Sequence, residues 1–192
     1  MIPGYGNRRR FRDLNDQEIL ALAISSEEDD ARIYRSYAER LRAEYPSSAA
    51  VFDGMAEEED RHRQRLIETH RKRFGEVIPL IRREHVAGYY ARKPVWLMET
   101  MSLEQIRGEA EAMERQAQSF YEIAAQRTSD AATRKLLGDL AAAEAGHQNA
   151  AQRLEEKHLH EDARSEEDQT AHRQFLLTWV QPGLAGLMDG SV

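Results

Sequence analysis

The chain has 192 residues, of which 41% are apolar and 32% charged, with a net charge of −7 at pH 7 and no cysteine. That length suits one domain with a proper core, or one domain and an extension. Without cysteine, disulfides and thiolate metal sites are excluded, and the acidic balance argues against general nucleic-acid binding.

The opening segment MIPGYGNRRRFRDL is basic but has no apolar run behind it, so no signal peptide is expected there, and no run of 18 apolar residues is present. Few Gly and Pro, and a bias to Glu, Ala, Arg and Leu, favour long helices over strands. The first helix is predicted after Asn15, an N-cap with Glu18 three residues on, and stops before Pro46. Its apolar stripe is Leu20, Ile24, Ala31, Tyr34, Ala38 and Leu41. The second is predicted after Ser47 and Ser48, carries Val51, Phe52, Met55 and Leu66, and ends near Gly75. A crossover of roughly 27 residues follows, long enough to run back along a bundle, with room for an extra helix around VIPLIRREHVAGYY. The third helix follows Ser102, with Gln105 completing a capping box, and the fourth follows Ser129 and Asp130. Short links within each pair make the partners antiparallel. The fold class is therefore all-α, a four-helix bundle of two helix pairs. An N-terminal arm (residues 1–14), the bundle (15–163) and a C-terminal helical extension (164–192) complete the expected organisation. The extension turns apolar at FLLTWVQPGLAGLMDGSV, and the chain is expected to lead toward a membrane domain beyond Val192.

The two pairs resemble each other. Glu28, Ala31, Tyr34 and Ala38 match Glu114, Ala117, Phe120 and Ala124 at an offset of 86 residues. Phe52, Met55, Ala56, Glu59 and His62 match Leu137, Leu140, Ala141, Glu144 and His147 at an offset of 85. Residues three apart on a helix share a face, with Cβ atoms about 5–6 Å apart. Glu59 with His62, and Glu144 with His147, can therefore each hold one ion. Glu28 and Glu114 fall within apolar stripes, where an unpaired carboxylate is costly. Four carboxylates and two imidazoles pointing inward balance two divalent cations. This is the ligand set of di-iron and di-manganese carboxylate bundles. Without metal the converging carboxylates repel, so some should hold their protons more tightly than usual.

A third Glu-x-x-His, Glu155 with His158, lacks the small and apolar neighbours of the other two and reads as solvated, with an auxiliary metal site as the alternative. Glu111, one turn before Glu114, is either a seventh ligand or a solvated edge residue. Tyr34, Tyr37 and Tyr121 read as core, with a hydrogen bond to a metal ligand as a further role for one of them. His85 reads as structural, and the run RHRQRLIETHRKR as a wet face.

At EEDDARIYRSYA, MAEEEDRH, MERQAQSFYEIAA and LAAAEAGH the chain resembles the rubrerythrin-like, or erythrin, branch of the ferritin-like superfamily, over about residues 14–160. The tail GLAGLMDGSV resembles the opening of vacuolar iron transporter domains, and the combination resembles the membrane-bound ferritins. The resemblance implies a ferritin-like bundle holding two iron ions, with Glu28, Glu59, His62, Glu114, Glu144 and His147 as ligands. It also implies oxidation of ferrous iron by oxygen or peroxide, and a part in iron efflux and peroxide stress. The rest of the expectation is a homodimer on the cytoplasmic side of a bacterial inner membrane, attached through a C-terminal domain. The alternatives are manganese in place of iron, a module that delivers or senses metal without turnover, a rubrerythrin-like peroxidase, and a purely structural helical dimer.

Overall fold

A computed structural model describes residues 8–90, 92 and 101–147 of the chain. Two short strands, β1 (Arg9–Arg10) and β2 (Val86–Ala87), accompany four helices: α1 (Asp16–Leu41), α2 (Pro46–Phe74), α3 (Leu103–Arg127) and α4, helical over residues 131–147.

The helices begin and end where local chemistry satisfies their free backbone groups. At α1 the Asn15 side chain accepts from the Glu18 amide at 3.0 Å, and Glu18 accepts from the Asn15 amide at 3.0 Å. Ser102 and Gln105 make the same reciprocal pair at α3. Asp130 accepts from the Thr133 amide at 2.8 Å and caps α4. Gly75, at φ 85°, ends α2 in a conformation that side chains resist. The start of α2 differs from the sequence reading: Pro46 is its first residue, not a stop ahead of it. A proline there loses no helical hydrogen bond and its fixed φ already suits the helix.

Two apolar clusters divide the bundle. One holds Leu20, Ile24, Leu66, Phe120, Tyr121, Leu137 and Leu140. The other holds Tyr34, Tyr37, Phe52, Met55, Ile106 and Met113. Along α1 the first cluster comes before the second; along α2 and α3 the order reverses; α4 begins in the first. So α1 and α4 run one way and α2 and α3 the other, as two antiparallel pairs with a long crossover require. Between the two clusters every helix contributes a polar stretch: Glu27 and Asp30, Glu59 and His62, Glu114, Glu144 and His147, all buried.

Among the described residues the crossover contains no extra helix. It contains a 3-10 turn at Arg83–His85 and then β2, which pairs in parallel with β1 at Arg9↔Val86 and Arg10↔Ala87. The segment is pinned to α1 by charge. Arg83 donates to Asp30 at 2.6 Å, and Arg92 donates to both oxygens of Asp30 at 2.8 and 2.9 Å. Asp30 is buried, yet the two guanidiniums outweigh that burial and hold its carboxyl below the usual range. His85 is exposed and its Nδ1 accepts from the Arg82 amide, a local turn contact. Residues 148–192, including Glu155, His158 and the expected extension, lie outside the described residues, and no helix among the described residues is long and apolar enough to cross a membrane.

Candidate metal centre

Five of the six acidic and imidazole side chains expected at the core meet in the polar layer. Glu59, His62, Glu114, Glu144 and His147 are each 9% exposed or less. The sixth is a correction. Glu28 points to solvent, its side chain 58% exposed and 4.0 Å from the guanidinium of Arg63, and Glu27 takes its place at 3% exposure. One residue along a helix turns a side chain by about 100°, so Glu27 and Glu28 cannot share a face. Glu111 does not join the cluster either: it is half-exposed and pairs with Arg115 one turn on.

Two overlapping groups emerge. Glu27, Glu59, His62 and Glu144 form one, and Glu59, Glu114, Glu144 and His147 the other; in each, the potential ligand atoms lie within 4.8 Å of one another. Glu59 and Glu144 belong to both. His62 Nδ1 is 3.4 Å from Glu59, 3.4 Å from Glu144 and 3.7 Å from Glu27. His147 Nδ1 is 3.2 Å from Glu114 and 3.9 Å from both Glu59 and Glu144. Both imidazoles thus turn Nδ1 toward the carboxylates, and the rings lie 6.1 Å apart, nearly parallel.

The two tyrosines reach across the bundle. Tyr34 of α1 donates its hydroxyl to Glu114 of α3, and Tyr121 of α3 donates to Glu27 of α1. Tyr34 stands seven residues after Glu27, and Tyr121 seven after Glu114. The helix repeat is therefore offset by 87 residues, not 86. At that offset Ile19 matches Ile106, Ala23 matches Ala110 and Ile33 matches Phe120, and every one of them is buried. The repeated Glu-x₆-Tyr was the signal in the sequence that singles out Glu27.

The residues fit a pair of cations. Glu27 Oε2, His62 Nδ1 and Glu144 Oε1 are buried, face one another, and have no hydrogen-bond partner. Such orphaned groups are rare and costly unless something else satisfies them. Burial, together with the charge of Glu59, pushes the carboxyls of Glu27 and Glu144 well above the usual range. Burial alone would lower the imidazoles, but the surrounding carboxylates outweigh it and raise both to about 9. Without metal the cluster retains protons in place of cations. Carboxylate and imidazole donors with no thiolate suit iron or manganese.

The family model described as Rubrerythrin matches residues 18–155. The searches of curated proteins and of solved structures return no match.

Proposed function

The chain belongs to the rubrerythrin family, and on that premise we propose that its buried cluster is a dinuclear iron centre that oxidises ferrous iron with oxygen or peroxide. The observation that carries this reading is the pair of four-residue groups sharing Glu59 and Glu144, with unpartnered oxygen and nitrogen atoms facing inward. Glu59 and Glu144, which belong to both groups, would be shared by the two ions. Glu27 with His62 would hold one ion and Glu114 with His147 the other, and four carboxylates would balance two divalent charges.

Held there, two ferrous ions would supply two electrons to an O–O bond, each becoming ferric. The chain's own residues set the conditions. The two apolar clusters keep bulk water from the layer. Tyr121 and Tyr34 each occupy one oxygen of Glu27 and Glu114 and so fix the orientation of the other. His62 and His147 have to lose a proton before Nδ1 can bind a cation, so loading releases protons. Manganese is the alternative occupant.

The wider assignment is part of the same proposal. The resemblance of residues 183–192 to the opening of iron transporter domains supports a role as the ferroxidase part of a membrane iron exporter. That role places the bundle as a homodimer on the cytoplasmic face of the membrane, in iron and oxidative-stress homeostasis. Addition of ferrous ion to metal-free protein in aerated buffer tests the chemistry. Oxygen uptake with ferric absorbance, lost in Glu144→Ala, is expected. Tight binding of ferrous ion with no oxygen uptake would instead mark a module that delivers or senses metal.

A further inference from the structure

The two halves of the centre differ in what stands behind their histidines. His147 turns Nδ1 inward and Nε2 outward, where it lies 2.9 Å from Glu58 Oε2, close enough to hydrogen-bond although not aligned for it in this rotamer. Glu58 sits on α2 next to Glu59, but its side chain is 38% exposed and belongs to neither four-residue group. At the repeat offset of 85 residues its counterpart is Ala143, which has no acceptor to offer His62. Among the described residues the carboxylates within 4.0 Å of His62 are Glu27, Glu59 and Glu144, all reached through Nδ1.

A carboxylate behind a ligating imidazole accepts its outer N–H, fixes the tautomer and ring orientation, and makes the inner nitrogen a stronger donor; losing such a partner weakens metal affinity by roughly 10–100-fold. We infer that Glu58 is a positioning residue for His147, and that it makes the two metal positions unequal: the His147 position fills first and binds more tightly. This rests on the dinuclear reading of the cluster. The carboxylate counts of the two positions are equal, so the outer partner decides their order. The Glu58 side chain is 38% exposed and belongs to neither apolar cluster, so its replacement leaves the packing of the bundle in place.

Calorimetric titration of metal-free protein with manganous ion tests it. The wild type should bind in two steps separated by roughly 10–100-fold in affinity. Glu58→Ala should remove most of that separation by weakening the first step alone, with the helical circular-dichroism spectrum of the metal-free protein unchanged. Ala143→Glu, which puts a carboxylate behind His62, should bring the second step toward the first. With cobaltous ion, the visible spectrum of the first equivalent should change in Glu58→Ala and that of the second should not. Two ions bound with equal affinity by the wild type, or an unchanged separation in Glu58→Ala, would overturn the inference and leave the dinuclear site standing. A wild type that binds no manganous or cobaltous ion would overturn the site itself.

Discussion

Raising the pH of the metal-free protein should destabilise it, through the histidines at its centre. His62 and His147 hold their protons up to about 9, against an ordinary value of 6.5. A group whose affinity for its proton is higher in the folded state stabilises that state fully below the unfolded value, and the stability is lost as pH climbs through the folded value. At about 1.4 kcal/mol for each tenfold change in proton affinity, each protonated imidazole contributes about 3 kcal/mol. The two rings share Glu59 and Glu144, so together they contribute more than one ring but less than twice as much. Glu27 and Glu144 are raised as well and act with the same sign, beginning lower, near the ordinary carboxyl value. With a urea slope of about 2 kcal/mol per molar, the loss of about 3 kcal/mol moves the midpoint down by about 1.5 M. Urea unfolding of chelator-treated protein, at intervals between pH 6 and pH 9.5, measures this directly. With saturating manganous ion the dependence should reverse, because cation and proton compete for Nδ1. A metal-free midpoint that stays level or climbs between pH 6.5 and pH 9 would mean that the folded protein does not hold these protons more tightly than the unfolded chain.

Other expectations follow from single contacts. Glu27→Ala should abolish paired-metal binding, while Glu28→Ala and Glu111→Ala should keep it, as metal analysis after gel filtration will show. Asp30→Ala leaves the guanidiniums of Arg83 and Arg92 with an uncompensated buried charge and should cost about 3–5 kcal/mol in denaturant unfolding. Tyr34→Phe and Tyr121→Phe each remove one donor from a buried carboxylate, and each should cost about 1–3 kcal/mol in the same assay. Leu137→Ala, at a fully buried position below the centre, should cost about 2–5 kcal/mol.

Much of this fold is written locally. The capping pairs at Asn15 and Ser102 and the apolar stripes placed the helices, because those signals act within one or two turns. Glu59, His62, Glu144 and His147 were legible because each pair sits on one face of one helix. The helix-one acid was not, because adjacent Glu27 and Glu28 differ in sequence by nothing but register. Matching Ala31 to Ala117 selected the wrong one, whereas the tyrosine seven residues on selects Glu27. Glu58 was hidden in a run of three glutamates whose roles separate only when the helix is rotated into place. The length of the crossover was legible but its contacts were not: Asp30 meets Arg83 and Arg92 across 53 and 62 residues of chain, and no local pattern encodes such a contact. Those buried charges, with the strand pair at Val86–Ala87, hold the described part of the segment against α1 and β1 in place of a helix.

The dinuclear centre requires one chain to hold two metal ions between shared carboxylates. Anaerobic titration of the metal-free protein with ferrous ion, read as bound iron per chain after rapid desalting, tests it most directly. Two ions per chain are expected for the wild type, and neither Glu59→Ala nor Glu144→Ala should retain the pair, because each residue belongs to both positions. Wild-type protein that retains no iron, or a Glu144→Ala protein that still binds two ions tightly, would mean that the cluster is not a shared two-ion centre.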